Sequence, residues 1–397
     1  MPTKKSSKPT KTTKRAKKGA KAAGATATND DAVKPLLGKN WAKAIKARAA
    51  QQAREAVSVT LNTAVIAKEH REDARCDIDR KSGIVQVSVN TRTIGQHAFP
   101  PDIRTTALTR SDVQPTRLIT DGMLHDHLGV SPAPAKLSKE LMVRQRFGID
   151  LGKRPKRDLS EPTNIFAGDQ RYVFSDTSFP WCTCGKVETE AGWGSGVMIG
   201  PRHMMTASHV IVWKPNNSAG WVKFTPLKFD SSEPFGNTFA VNIYSWNKAD
   251  GSDGLNLTEG AFDYVVCVLN NRIGDLTGWM GSRGYNTSWD GGDYWAHIGY
   301  PQDISGGTRP AFIGYQDFIN ETSASLGGRS SFRIRHEIDV IPGQSGGPYF
   351  GWWDGEPWPR VVGIQSGQNL GGPGGDNTCG GGNPLSELIN FARGAMP

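Results

Sequence analysis

Short apolar runs separated by small polar residues dominate the chain from about residue 165 to its end. The runs "GSGVMIG", "FDYVVCVL", "YWAHIGY" and "RVVGIQSG" are each about one strand long, and clusters of Gly, Asn, Asp and Ser lie between them. Such runs, rich in β-branched and aromatic residues and bounded by turn residues, are typical of buried strands. The pattern therefore predicts an all-β domain over residues 165–397.

The N-terminal part of the chain has a different pattern. Residues 40–59 are rich in Ala, Lys, Arg and Gln, and Trp41, Ile45 and Ala49 recur there at intervals of four. This spacing places the three apolar side chains on one face of a helix. The pattern predicts an amphipathic helix, and so a partly helical N-terminal segment ahead of the β domain.

A basic stretch that contains a proline, residues 152–158, lies just before the β region. Exposed polar linkers are preferred sites of proteolytic cleavage. We interpret the stretch as a linker at the end of an N-terminal segment, residues 39–160. Two hypotheses stay open: cleavage after Arg157 removes the segment as a pro-region, which would make the chain a zymogen, or the linker is never cut.

The formal net charge of +9 is concentrated near the N-terminus. Residues 1–48 contain fourteen Lys and Arg and two Asp, so this part carries +12 and the rest of the chain −3. Residues 1–38 have almost no apolar surface to bury, which predicts a disordered Lys-rich tail. Residues 1–48 are expected either to make a weak contact with polyanions or to form a solvated extension.

Several classes of protein are disfavoured by what the sequence lacks. It has no apolar run of 18 residues, so we expect no membrane span. No apolar segment follows the basic N-terminus, so no secretory signal peptide is recognisable, and the compartment and the oligomeric state stay open. The five cysteines cannot all pair within the chain. Neither Cys182-Thr-Cys184 nor His125-Asp-His127 has partners in a metal-binding pattern, so we expect no metal and no cofactor.

A serine among glycines is the first candidate for chemistry. Ser345 lies in "IPGQSGGPYF" (341–350), which contains G-x-S-x-G, the nucleophile turn of α/β-hydrolases. That fold requires a histidine after the serine, and the last histidine of this chain, His336, precedes it. A nucleophilic serine needs a base, which must therefore lie upstream. "TASH" at 206–209 supplies His209, which follows an apolar run and a turn.

Together the two motifs resemble the trypsin-like serine peptidases of the chymotrypsin fold, in which "T-A-x-H" and "G-x-S-G-G-P" occur in this order. The resemblance covers residues 165–397 and implies two antiparallel β-barrels and serine endopeptidase activity on polypeptide substrates. It implies that Asp263, which precedes the apolar run "YVVCVL", is the third member of a catalytic triad. Its rivals for this role are Asp250, Asp253 and Asp275, which lie in Gly-rich or polar turns where a solvated surface role is expected.

The resemblance also implies a role for each site residue. His209 would act as the base, Asp263 would orient it, and the backbone N–H groups of Gly343 and Ser345 would form the oxyanion hole. Gln344 stands where trypsin-like zymogens have the aspartate that pairs with a new N-terminal amine, so activation by that ion pair is not expected. The cysteines that flank the histidine loop of trypsin are missing, so the chain looks closer to the V8-like, glutamyl-endopeptidase-type branch.

The residues that would set specificity are ambiguous. Asp339 stands six residues before Ser345, where trypsin binds Lys or Arg, but V8-like chains often have an aspartate near this place without that specificity. Gln365 stands where the Glu-specific members have a histidine, and its amide cannot carry a positive charge. Ser366 matches a serine that supports the triad aspartate in the family.

One function of another class stays open alongside the serine endopeptidase. The chain could be a binding or scaffold protein that has a peptidase fold, weak or no catalysis and a polybasic tail that contacts nucleic acid. An intact triad favours the enzyme, because each of the three residue types is needed for the chemistry.

Overall fold

The structure is a computed structural model, and its described residues from Lys34 to Pro397 form one compact unit. The described residues are 33–55, 74–79, 84–89, 103–109, 111–113, 119–137, 165–166, 168–251, 254–368 and 375–397. Residues 47–55, 74–79 and 84–89 are described by their backbone alone. Residues 1–32 of the predicted tail and the predicted linker at 152–158 lie outside the described residues. No helix among these ranges is long and apolar enough to cross a membrane.

Strands make up most of the described chain. They are β1 (Ala74–Asp79), β2 (Ile84–Val89), β3 (Ile103–Ala107), β4 (Ile119–Thr120), β5 (Tyr172–Val173), β6 (Cys184–Thr189), β7 (Gly192–Gly200), β8 (His203–Thr206), β9 (Trp213–Lys214), β10 (Ser218–Ala219), β11 (Val222–Pro226), β12 (Thr238–Ser245), β13 (Val265–Leu269), β14 (Gly281–Arg283), β15 (Trp295–Gly299), β16 (Ala311–Gln316), β17 (Asn320–Leu326), β18 (Arg329–His336), β19 (Pro348–Gly351), β20 (Arg360–Gln368) and β21 (Asn377–Gly381).

The described helices are few and mostly short. They are α1 (Gly38–Glu55), α2 (Leu257–Ala261), α3 (Gly274–Thr277), α4 (Gln302–Ser305) and α5 (Asn383–Ala395). Helix α1 confirms the helix predicted from the spacing of Trp41 and Ile45, both of which are buried. The predicted all-β texture of the C-terminal part is confirmed, with strands at each of the four apolar runs.

Six strands of the first sheet close into a barrel. They pair in the order β11-β6-β7-β8-β13-β12, and β12 pairs back onto β11. All of these pairings are antiparallel. A closed barrel leaves no unpaired edge within the six strands, so the backbone N–H and C=O groups are satisfied by neighbours.

Strand β13 shows how the sequence fills both faces of the barrel wall. All five of its residues are buried, and their side chains alternate between two clusters of the core. Val265, Cys267 and Leu269 pack in one apolar cluster, and Val266 and Val268 pack in another. Because successive side chains of a strand point to opposite faces, a fully apolar run is what a strand buried on both sides requires.

The second sheet contains strands from the C-terminal half of the chain. Its strands pair antiparallel in the order β17-β18-β21-β20-β19-β15-β16-β5. Aromatic residues dominate its own core cluster, with Trp289, Trp295 and Trp353 all buried. One closed barrel and a second antiparallel sheet confirm the predicted fold class, an all-β architecture of the chymotrypsin type.

Segments from before residue 160 belong to the same compact unit. Strand β3 pairs parallel to β12 at the edge of the barrel strands, and β4 pairs with β14 of the second sheet. Trp41 of α1 has no exposed surface, and its ring lies 5.6 Å from that of Tyr315. The division of the chain at residue 160 stays a prediction.

Candidate active site

Ser345 lies on a turn whose two neighbouring glycines are required by shape. Gly343 has φ +96° and Gly346 has φ +82°, conformations that side chains with a Cβ rarely adopt. Space is also lacking: a Cβ on Gly343 would lie 2.4 Å from Tyr300 O, and one on Gly346 would lie 2.1 Å from Thr206 Oγ1. The glycines therefore let the turn around Ser345 press closely against the rest of the protein.

Two peptide groups of the turn, Pro342–Gly343 and Gln344–Ser345, are held in fixed orientations. The carbonyls of Pro342 and Gln344 each accept a hydrogen bond of 2.9 Å from another backbone N–H. In a trans peptide the next N–H points away from the carbonyl, so these bonds direct the N–H groups of Gly343 and Ser345 to the opposite side. Among the described residues neither N–H donates a hydrogen bond. The two donors predicted for the oxyanion hole therefore remain free to bind a substrate oxygen.

His209 and Asp263 lie at the same end of two paired strands. His209 is in a short 3₁₀ turn, Ser208–Val210, just after β8, and Asp263 lies just before β13, which pairs with β8. The imidazole Nδ1 is 2.6 Å from Asp263 Oδ2, and the backbone N–H of His209 donates to Oδ1 at 3.0 Å. The pairing of the strands therefore brings the predicted base to its predicted aspartate.

The carboxylate of Asp263 is fully buried and is bound by a third donor. Ser366 Oγ, on β20, donates to Asp263 Oδ2 at 2.6 Å, which is the place predicted for this serine. The side chain of Asp263 has no exposed surface, and 19% of the His209 side chain is exposed. An aspartate that accepts from Nδ1–H leaves the Nε2 atom of the imidazole as the proton acceptor.

The turn at Ser345 packs against the strand end that leads to His209. A Cβ on Gly346 would meet Ala207 N at 2.8 Å, and Ala207 is two residues before His209. Among the described residues, Ser345 Oγ makes no hydrogen bond. Catalytic hydrogen bonds are often long in unliganded enzymes and shorten when substrate binds, so the lack of this bond does not count against Ser345 as the nucleophile.

Ser195 is a buried site residue that the sequence analysis missed. Its N–H donates to Ser345 O at 2.7 Å, and its Oγ donates to Gly343 O at 2.8 Å and accepts from Tyr300 N at 2.9 Å. One residue of β7 therefore ties the nucleophile turn to both sheets. The run "GWGSGVMIG" showed a strand, but the partners of Ser195 lie 105 to 150 residues away, and no local pattern reports such contacts.

The carboxylate of Asp339 is already engaged. Phe166 N donates to Oδ1 at 2.9 Å and Gln170 N donates to Oδ2 at 2.9 Å, and only 3% of the residue is exposed. A buried carboxylate whose two oxygens each accept from a backbone N–H group holds a loop in place and offers little surface to a basic side chain of a substrate. These contacts favour a structural role for Asp339 over the predicted role in a specificity pocket.

Gln365 lies beside the nucleophile turn, backed by uncharged aromatic and imidazole rings. Its carbonyl accepts from Gly346 N at 2.8 Å, and its side-chain Oε1 accepts from Tyr349 Oη at 2.6 Å. Complete burial lowers the pKa of His297 to about 3 and holds the pKa of His336 well below its ordinary value. Both imidazoles are therefore neutral at neutral pH.

The cysteines are placed as small apolar side chains. The side chains of four cysteines are described, and all four are free and buried: Cys182, Cys184, Cys267 and Cys379. Burial raises the pKa of the Cys267 thiol, which keeps it protonated and unreactive. Among the described side chains, no group of three His, Cys, Asp or Glu residues is placed to hold a metal ion.

Comparison with known proteins finds peptidases. The chain is 27% identical over 190 residues to a glutamyl endopeptidase of Bacillus licheniformis, a match that covers 47% of this chain and 54% of that protein. It is 26% identical over 197 residues to an extracellular metalloprotease of Bacillus subtilis, covering 48% of this chain and 58% of that protein. The chain thus spans little more than half the length of these curated relatives. No protein-family profile matches it.

Solved structures similar to this one are also peptidases. A Glu endopeptidase in complex with MPD has a TM-score of 0.47 at 17% identity, and the match covers 58% of this chain and all of that one. The protease Anisep from Arthrobacter nicotinovorans has a TM-score of 0.41 at 17% identity, covering 56% of this chain and 99% of that one. The resemblance predicted from the two motifs is confirmed by the sequence match: this chain is similar to chymotrypsin-fold serine peptidases, and among them to a glutamyl endopeptidase.

Proposed function

We propose that this protein is a serine endopeptidase that hydrolyses peptide bonds through an acyl-enzyme. The observation that carries the proposal is the buried Asp263 carboxylate bonded to His209 Nδ1 at 2.6 Å, at the strand end against which the Ser345 turn packs. A solvated surface aspartate would not need three donors and would not orient an imidazole. The match to a glutamyl endopeptidase supports the same reaction class.

Each residue has a defined part in the proposed reaction. Ser345 Oγ attacks the substrate carbonyl carbon while its proton moves to His209 Nε2, and the N–H groups of Gly343 and Ser345 bind the oxyanion that forms. His209 then gives the proton to the leaving amine, and the C–N bond breaks to leave an ester on Ser345. Water attacks this ester with His209 again as base, which releases the acid and regenerates the serine. Asp263 stabilises the imidazolium in both halves.

The specificity supported best is for neither acidic nor basic residues. Cleavage after Lys or Arg would need a carboxylate that the substrate can reach, and Asp339 is buried with each oxygen held by a backbone N–H group. Cleavage after Glu would need a positive charge, and Gln365 is neutral, as are the buried imidazoles near it. The activity named for the Bacillus licheniformis relative is therefore not proposed for this chain beyond peptide hydrolysis.

The alternative, a scaffold with little catalysis, is not favoured. A chain that had lost its catalytic role would have no need to bury Asp263, because a buried carboxylate is costly unless its hydrogen bonds are made. Here Asp263 is fully buried and makes hydrogen bonds with both His209 and Ser366. These hydrogen bonds fix one orientation of the imidazole, which is useful in catalysis and has no use on a passive surface.

A fluorophosphonate probe tests the proposed function, because its phosphorus reacts only with a serine that has been activated by a base: the Oγ–P bond forms and fluoride leaves. We expect the full chain to be labelled once, at Ser345, as located by mass spectrometry of the digested protein. Ser345→Ala should not be labelled, and its peptidase activity should fall by about 10⁴–10⁶-fold. Near-normal turnover by Ser345→Ala would reject a serine peptidase.

A further inference from the structure

A buried arginine contacts the residue that precedes the nucleophile. The side chain of Arg171 has no exposed surface, and its Nη1 donates to Gln344 Oε1 at 2.7 Å. Its Nη2 forms ion pairs with Asp303 Oδ2 at 2.6 Å and with Asp169 Oδ2 at 2.9 Å. The guanidinium therefore donates to two carboxylates and to one neutral amide, and the amide is the partner that lies in the nucleophile turn.

Arg171 stays positively charged in this buried position. Burial acts to lower the pKa of Arg171, but the hydrogen bonds and charges of Asp169 and Asp303 outweigh it, so the pKa is raised. Both carboxylates are more than a third exposed at their side chains, whereas Gln344 is 1% exposed. The two negatively charged partners of Arg171 are therefore accessible to water, whereas its hydrogen bond to Gln344 is buried.

Gln344 is the residue between the two proposed oxyanion donors. Its Oε1 accepts from Ile341 N at 3.0 Å as well as from Arg171, and its own N–H donates to Ile341 O at 3.1 Å. Its carboxamide thus folds back over the start of the turn. A Cβ on Gly299 would lie 2.8 Å from Gln344 Cβ, so the side chain is packed against β15 with no spare room.

The segment that carries Arg171 is tied to the nucleophile loop at a second point. Phe166 N and Gln170 N bind the carboxylate of Asp339, six residues before Ser345. Phe166, Gln170 and Arg171, which precede β5, therefore contact the loop both six residues before the nucleophile and at the residue just before it. Because these contacts come from the chain's own backbone and side chains, they exist without any new chain terminus.

We propose that Arg171 is a positioning residue for the oxyanion hole: by holding the Gln344 carboxamide, it fixes the peptide groups that present the N–H of Gly343 and Ser345. The inference rests on the proposed serine peptidase function. Gln344 is neutral and cannot pair with a new N-terminal amine as the corresponding aspartate of trypsin-like zymogens does. The internal cation Arg171 orders the loop instead, so the loop is formed before any cleavage of the chain.

The geometry calls for arginine in particular. A guanidinium is a planar fork that can donate to Asp169, Asp303 and Gln344 together in fixed directions. A lysine ammonium is a compact point charge on a flexible stem and would satisfy the carboxylates first. Lysine should therefore preserve the charge of the site and still lose much of the bond to Gln344.

The test compares four variants with the wild-type full chain. Arg171→Met removes the cation, Arg171→Lys keeps the charge, Gln344→Met removes the acceptor, and Arg171→Met/Gln344→Met removes both. Arg329→Met is the matched control, because Arg329 is also nearly buried and is ion-paired, to Glu387 at 2.6 Å, away from the nucleophile loop. For each protein we would measure the rate constant of labelling by a fluorophosphonate, kcat, KM and the midpoint of thermal unfolding.

We expect Arg171→Met to slow labelling and lower kcat by about 10–10²-fold with little change in KM, since losing one oxyanion donor outright costs about 10²–10³-fold. Arg171→Lys should fall between Arg171→Met and the wild type. The double variant should be about as slow as the slower single variant, because both changes break one link. Arg329→Met should unfold at a lower temperature and label at the wild-type rate.

Two outcomes contradict the inference and are distinguishable from failure of the proposed function. If Arg171→Met labels as fast as Arg329→Met, or if the two single effects multiply in the double variant, Arg171 does not act through Gln344. If Arg171→Met does not fold, Gln344→Met decides the same question, and wild-type labelling rates in it overturn the inference. If the wild-type chain is not labelled at Ser345 at all, the proposed function is rejected and the inference with it.

Discussion

Asp263 holds the imidazole of His209 through two bonds, one to Nδ1 and one to the backbone N–H, so both the ring and the turn that carries it are oriented. Ser366 takes up remaining acceptor capacity on Oδ2. A buried carboxylate that lost these donors would bear a large desolvation cost. At the scale of single residues, the site therefore depends on a few hydrogen bonds whose members cannot be exchanged for groups of similar shape.

Exchanging the aspartate for its amide tests this dependence. Asp263→Asn keeps the shape, but an amide that presents N–H₂ to Nδ1 favours the wrong tautomer of His209. We expect kcat to fall by about 10⁴-fold in Asp263→Asn and by about 10⁴–10⁶-fold in His209→Ala. Steady-state kinetics with a peptide substrate measure both.

Asp275→Asn is the matched control for Asp263→Asn. Asp275 is one of the three rivals considered for the role of Asp263, and its exposed carboxylate pairs with Arg272, three residues before it, at 2.9 Å. Exposed pairs of this kind contribute about 0–1 kcal/mol to stability, so the variant should keep wild-type kcat and a nearly unchanged unfolding midpoint. Loss of activity in Asp275→Asn together with normal activity in Asp263→Asn would reassign the third triad member.

At the scale of secondary-structure elements, the predictions succeeded where a pattern is local. "FDYVVCVL" contains β13, and "TASH" leads into the turn of His209, because apolar runs and turn residues act over a few positions. The roles of Ser195 and Arg171 were not predicted. Their partners in the nucleophile loop lie 148 and 173 residues away in the chain, and such pairs follow from tertiary packing alone.

Helix α1 illustrates the same limit and leads to a prediction. Residues 1–48 were grouped by their charge, but Trp41 and Ile45 are buried, and Leu36 N donates to Trp352 O at 2.7 Å. Deleting residues 1–48 should therefore lower the free energy of unfolding by about 3–5 kcal/mol, the usual cost of losing a buried Trp. Deleting residues 1–33 should leave it unchanged. Urea unfolding of the two truncated chains measures the difference.

The same two truncated chains test the proposed polyanion contact. Residues 1–33 contain nine Lys and Arg and two Asp, so most of the excess charge lies before α1. We expect both truncated chains to lose binding to single-stranded or duplex nucleic acid, and the full chain to bind less tightly as salt rises. Equal binding by the chain lacking residues 1–33 and by the full chain would locate the contact elsewhere.

At the scale of the whole molecule, the N-terminal segment is built into the structure that carries the site. Strand β3 pairs with β12. Residues between β4 and β5 also contact the region 165–397: Met123 N donates to Trp279 O, and Gly129 O accepts from Phe179 N, both at 2.8 Å. A pro-region that covers a finished enzyme would not need to supply strands to it. These contacts argue against removal of the segment as a pro-region, because a cut at the basic stretch alone would leave β3 and β4 paired with the rest of the protein.

Limited proteolysis tests whether the segment can leave the rest of the protein after a cut, as the pro-region hypothesis requires. A protease specific for Lys and Arg should cut the chain within residues 152–158, and we expect the two pieces to elute together in gel filtration and to separate only after denaturation, because the pairing of β3 with β12 and of β4 with β14 holds them. Peptidase activity should be within about twofold of the uncut chain, since Arg171 and Asp339 lie after the cut and keep their contacts with the nucleophile loop. An active 158–397 fragment that elutes alone, with N-terminal sequencing showing a start at Asp158, would restore the pro-region hypothesis and would mean that β3 and β4 are dispensable to the site.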